Sequence, residues 1–190
     1  MRYATKWPQY ARWWDAMAIK PERLHEFDGL AARLFAHKAV YAAIEAKTGV
    51  PWHLIAVLHL RESNANFGTY LGNGQTLKRK TTIVPKGRGP FLGPNAFVDG
   101  ALDALRIDGL SSIIDWRLEK ELYNCEIFNG TGYDPKPSPY VWGGTNIQLP
   151  GKYIRDHVFD PSVWDPQPGC APILARLAAI DHSIKWVRET

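Results

Sequence analysis

This chain of 190 residues is poor in cysteine, in long apolar runs and, over one stretch, in negative charge. Cys125 and Cys170 lie far apart and match no metal-ligand spacing, which argues against a thiolate metal centre. They read as two reduced, buried thiols, or as one disulfide if the compartment is oxidising. No stretch approaches the roughly 20 apolar residues of a membrane span, so stable membrane insertion is not expected. The N-terminus, MRYATKWPQYARWWDAM, lacks the apolar core and small-residue cleavage site of a signal peptide. The expectation is a protein made in the cytoplasm without a leader. The histidines are too scattered for an HExxH zinc site, so no metal and no cofactor are expected, and a metal-dependent amidase or peptidase is disfavoured. No repeat or low-complexity segment stands out.

What is present suits a globular protein. With 45% hydrophobic and 22% charged residues, the chain can bury a substantial core. One domain over 1–190 is expected, with the Trp-rich segment 1–22 packed on it. The formal net charge of +4 favours an anionic partner such as nucleic acid, membrane headgroups or cell wall. That charge is spread along the chain and is densest at Lys78-Arg79-Lys80, with Lys86 and Arg88 close behind. The stretch reads as a solvated loop or as an anion-facing one. It carries no interleaved aromatic, so nucleic acid is not an expected partner. Eight Trp and eight Tyr offer flat apolar faces with a polar handle, which suit sugar rings as well as nucleobases.

Apolar spacing predicts a helix over 28–47, ended by Gly49, and a second over about 51–63 that starts at Pro51. Leu54, Ile55 and Leu58 make the second helix the expected central one. The Gly72-Asn73-Gly74 turn and the β-branched run Thr81-Thr82-Ile83-Val84 predict a small hairpin between 69 and 86. Asn95 is expected to cap a helix over 97–105, and Ser111 or Ser112 another through about 128. Residues 129–169 read as mostly loop, and 171–187 as a closing amphipathic helix. The fold class is therefore mainly α, with one small β-hairpin and a loop-rich C-terminal half.

The chemistry centres on Glu62, at the end of the apolar run LIAVLHLRES. A carboxyl there either faces water as a helix end or sits on the floor of a cleft. In a cleft, partial desolvation disfavours ionisation and keeps a proton available near neutral pH, as a general acid on a glycosidic oxygen requires. His59, three residues earlier, falls on the same helix face and reads as a packing residue. The carboxylates that follow Glu62 are Asp99 and Asp103, because residues 63–98 contain neither Asp nor Glu.

RESNANF resembles the Glu-Ser signature of the lytic transglycosylases and goose-type lysozymes, and EIFNGTGYD resembles their later Tyr-Asn-Gly motif, with Phe128 in the place of Tyr. The ordered series TGVPWHLIAVLHLRES, TYLGNGQTL, TTIVPKGRG, FNGTGYD, SPYVWGGTN and GKYIRDHVFD resembles bacterial and phage lysozyme-like proteins over roughly residues 40 to 180. The resemblance implies an α+β lysozyme-like domain with Glu62 as the catalytic acid. The implied substrate is peptidoglycan, cleaved at the β-1,4 bond between N-acetylmuramic acid and N-acetylglucosamine by a monomer at the cell wall. The size and the lack of a signal peptide suit a phage endolysin, released to the wall by a separate holin, with a bacterial housekeeping or prophage enzyme as the alternative. Asn73, Gln75 and Thr81 are expected to meet the glycan, as are Asn129 and Tyr133, with Tyr140 and Trp142 as stacking platforms. A second acidic residue, frequent in lysozymes of this superfamily, is missing after Glu62. Two mechanisms remain open: a single Glu acting as acid and then base to give a 1,6-anhydro product, or inversion with an uncharged group such as Thr81 or Gln75 positioning water. A glycan-binding or structural protein on the same scaffold is the rival reading, since fold does not imply function.

Overall fold

The computed structural model describes residues 2–155 and 158–190; Asp156 and His157, inside the GKYIRDHVFD stretch, and Met1 lie outside them. Among the described residues the chain is mainly helical: α1 (Tyr3–Ala16), α2 (Leu24–Ala36), α3 (Lys38–Thr48), α4 (Trp52–Ser63), α5 (Ala96–Ile107), α6 (Leu118–Asn129), the short α7 (Pro139–Trp142) and α8 (Cys170–Ile180). Strands β1 (Lys152–Arg155) and β2 (Val158–Asp160) form one small antiparallel hairpin. None of these helices is long and apolar enough to cross a membrane. The chain divides into two compact units, one of residues 34–116 and one of residues 1–33 with 117–190.

In the 34–116 unit the core is built on α4. Gly49 adopts a left-handed φ of 72° and closes α3, its N–H reaching the Glu45 carbonyl, as a C-terminal glycine does. Pro51 then precedes the first residue of α4. All of Trp52 to Leu60 are buried. Such a helix is apolar all round rather than on one face, so it lies inside the unit. His59 fits this interior because its ring packs 4.3 Å from Phe97 and its Nδ1 shares a 3.0 Å hydrogen bond with the Tyr41 hydroxyl. The expected single helix over 28–47 is instead α2 and α3, parted at His37, whose ψ of 13° leaves the helical range.

In the other unit, α1 carries the Trp-rich segment. Tyr10 is buried and stacks on Trp142 at 6.5 Å, and Trp13 meets the same indole edge-on at 5.7 Å. Helix α6 is internal although it carries several carboxylates: Glu119, Glu121 and Glu126 are 0%, 1% and 2% exposed. Cys125 and Cys170 are both buried and unbridged.

Three predicted elements moved. The 69–86 region has no ladder, only an isolated bridge between Thr69 and Thr76; the hairpin lies at 152–160, where Tyr153 pairs with Phe159. Helix α6 starts at Leu118, because Leu110–Ser112 form a separate 3-10 turn. Helix α8 stops at Ile180, where the Asp181 carboxylate accepts hydrogen bonds from the Ser183 N–H and hydroxyl at 3.0 and 2.7 Å. That local turn competes with another helical one.

Candidate functional site

Glu62 sits in the last turn of α4 and is half-buried. The helix ends immediately after it through two successive left-handed residues, Asn64 at φ 54° and Ala65 at φ 53°. Their N–H groups return to the Leu60 and His59 carbonyls at 2.8 and 3.1 Å. An alanine in this region is sterically disfavoured, and such backbone persists where surroundings over-determine it. The chain then folds back. Tyr70 and Gln75 close a tight turn, and Gly74, at φ 69°, lies so near that a Cβ there would stand 2.8 Å from the Glu62 carbonyl oxygen. The Gly-Asn-Gly turn is thus packed on the backbone that carries the candidate acid.

The expected glycan contacts in this unit serve the loop instead. The Gln75 Oε1 accepts from the Thr82 and Ile83 N–H groups at 2.7 and 3.2 Å, while its Nε2 donates to the Thr82 hydroxyl at 2.9 Å. The Asn73 amide donates to the Ile83 and Val84 carbonyls at 3.3 and 3.4 Å. Thr81 is 5% exposed, and its hydroxyl donates to the Pro85 carbonyl at 2.5 Å and accepts from the Arg88 N–H at 3.0 Å. These three side chains build the loop over 73–88.

Asp99 is exposed on α5. Asp103, one turn later, is held by a two-pronged Arg88 pair, with Arg88 Nε donating at 2.9 Å, and by the Tyr70 hydroxyl at 2.9 Å. The Arg88 hydrogen bonds hold its carboxyl below the usual carboxylate range, against the opposing effect of burial. It is an anchor between loop and helix rather than an accessible base.

The remaining expected residues belong to the other unit. Asn129 is exposed as the last residue of α6. Tyr133 is half-buried and lines a cavity of about 220 Å³ with Tyr153 and Phe159, its ring centroid 5.3 Å from that of Tyr153. The Tyr153 N–H donates to its hydroxyl at 3.2 Å. Tyr140 and Trp142 are 3% and 0% exposed; both rings are packed inside the unit rather than offered as platforms.

One carboxyl that sequence reasoning passed over stands out. Glu126, inside the EIFNGTGYD stretch, accepts a hydrogen bond from the buried Tyr10 hydroxyl. Burial pushes its pKa up, the Tyr10 bond opposes this, Asp134 adds to the rise and Lys6 counters it. The sequence signal was its place among Leu122, Cys125 and Phe128 on a helix that must be buried. A raised carboxyl in a protein is a functional candidate, but a general acid must reach its substrate. At 2% exposure Glu126 does not. Glu62, by contrast, is half-buried.

Among the described residues no group of three or more His, Cys, Asp or Glu is placed to hold a metal ion. No protein-family model, no curated protein and no solved structure matches the chain.

Proposed function

We propose that the protein is a lysozyme-like glycosidase of peptidoglycan, acting as a phage endolysin, with Glu62 as its catalytic acid. The observation that carries the reading is the placement of Glu62: half-buried, in the last turn of a helix whose preceding residues are buried, with Gly74 packed on its carbonyl. The end of a buried helix fixes the backbone that carries the carboxyl, as a positioned general acid needs. The ordered series of motifs around Glu62 supports the same reading. Glu62 gives its proton to the glycosidic oxygen between N-acetylmuramic acid and N-acetylglucosamine as that bond breaks. The resulting carboxylate then takes a proton from the attacking group, either water or the muramoyl C6 hydroxyl. Engagement of Asp103 by Arg88 and Tyr70 supports a mechanism with one carboxylate.

The test is purified peptidoglycan incubated with wild type and Glu62→Gln, followed by turbidity and released muropeptides. Loss of the acid is expected to lower the rate by about 10²–10⁴-fold. A wild type that releases nothing, or a variant of equal activity, overturns the reading and leaves glycan binding without cleavage. The mass of the products distinguishes the two routes: anhydro ends lack one water relative to the reducing ends of hydrolysis.

A further inference from the structure

One stretch of the chain carries cations with no carboxylate among them. Residues 63–98 contain five cations (Lys78, Arg79, Lys80, Lys86 and Arg88) and no carboxylate, a formal +5 that exceeds the +4 of the whole chain. Among the described residues only Arg88 of these five is in an ion pair, with Asp103. Lys78, Arg79, Lys80 and Lys86 are all exposed. The same loop turns two aliphatic side chains into solvent, Ile83 at 52% and Val84 at 78% exposure.

Those aliphatics are held out, not left loose. Asn73 and Gln75 bond the backbone of Thr82, Ile83 and Val84, and the Thr81 N–H and carbonyl bond Arg88 and Gly87 at 2.9 and 2.8 Å. Arg88 in turn is fixed to α5 through Asp103. A loop held in one conformation loses little entropy on binding. Exposed aliphatics beside uncompensated cations match an interface with an apolar layer beneath anionic groups, as a lipid surface has. A soluble polyanion would engage the cations and give Ile83 and Val84 nothing to enter.

We propose that the loop over 78–88 docks the protein peripherally on an anionic lipid bilayer, with Ile83 and Val84 at the boundary between headgroups and acyl chains and the four exposed cations on lipid phosphates. The test uses no peptidoglycan, so its failure is distinct from a failure of the glycosidase reading. The full chain is sedimented with vesicles of phosphatidylcholine containing phosphatidylglycerol, and with vesicles of phosphatidylcholine alone. Binding is expected on the anionic vesicles and not on the neutral ones, and it should fade in 1 M salt, where the screening length falls to about 3 Å. Each basic residue near an anionic surface is worth about fivefold in affinity, so Lys78→Gln/Arg79→Gln/Lys80→Gln should weaken binding about 100-fold. Ile83→Ser/Val84→Ser should weaken it at least about tenfold. Lys47→Gln/Lys185→Gln, which changes exposed cations outside the loop, should leave it unchanged. All the substituted side chains are exposed, so the fold is kept. Equal binding to neutral vesicles, or an equal loss in the Lys47/Lys185 variant, overturns the proposal. Unchanged binding by the serine variant marks a general polyanion site and overturns the lipid assignment.

Discussion

Helices α4 and α6 are each 12 residues long and each buried in its own unit, yet they carry carboxylates in opposite ways. Helix α4 keeps its buried length free of acid, from Trp52 to Leu60, and presents Glu62 only at its end. Helix α6 takes acids inside and meets them with partners. The Arg188 Nε donates to Glu119 at 2.5 Å, the Glu189 N–H donates to the same carboxylate at 3.1 Å, and the Tyr10 hydroxyl donates to Glu126. A buried acid, charged or protonated, is tolerated only when such partners replace water. Burial alone therefore does not mark a working acid, and the proposed acid, Glu62, is only half-buried.

The apolar side of this comparison is broken most by Leu58→Ala. Leu58 is fully buried, so a cavity there should cost about 2–5 kcal/mol, read as a lowered denaturant midpoint at unchanged slope. A loss under about 1 kcal/mol would mean that α4 is not the support claimed for it. On the polar side, Arg188→Ala leaves Glu119 buried with one partner fewer. Because Arg188 is itself partly exposed, the expected loss is about 1–3 kcal/mol, and Glu119→Gln in the same background should recover part of it.

Local signals were the legible ones. Gly49 and Pro51 set the start of α4 to within a residue, and the apolar Leu54, Ile55 and Leu58 marked it as the central helix. The misplaced hairpin shows where that reading stops. Thr81 to Val84 have the residue types of a strand, but Gln75 and Asn73 take the N–H and carbonyl groups that a ladder would use. Side-chain competition for backbone hydrogen bonds is invisible to propensity. The Gly- and Pro-rich setting of 152–160 hid the real hairpin by the opposite error, since composition outweighed the short runs Lys-Tyr-Ile-Arg and Val-Phe-Asp. In the candidate site, the Glu-Ser motif is what singled out Glu62 as the proposed acid. The roles of Asn73, Gln75, Thr81 and Asp103 depend on which partner each meets, which spacing does not encode.

Gly74→Ala sharpens the link between the Gly-Asn-Gly turn and Glu62. A side chain there requires a left-handed backbone and a 2.8 Å approach to the Glu62 carbonyl, so a destabilisation of about 1–2 kcal/mol or more is expected. Peptidoglycan cleavage should fall with it as the turn shifts. Full activity and full stability would show that the turn does not brace Glu62.

The smallest effect concerns pH. Burial raises Glu126 above its unfolded value of 4.5, so the folded protein holds that proton more tightly than the unfolded chain. Its contribution to stability is full below the unfolded value and is lost as pH rises through the folded one. Glu126→Gln should flatten that decline in thermal melts taken upward from pH 4. An unaltered pH profile would mean that Glu126 is not held protonated by its surroundings.

The central claim is that Glu62, and not the more deeply buried Glu126, is the acid. Initial rates of muropeptide release from purified peptidoglycan by wild type, Glu62→Gln and Glu126→Gln, measured at one pH, test it most directly. The account predicts a rate lower by about 10²–10⁴-fold for Glu62→Gln and a rate within a few-fold of wild type for Glu126→Gln. The reverse order, with Glu126→Gln inactive but folded and Glu62→Gln active, would contradict it.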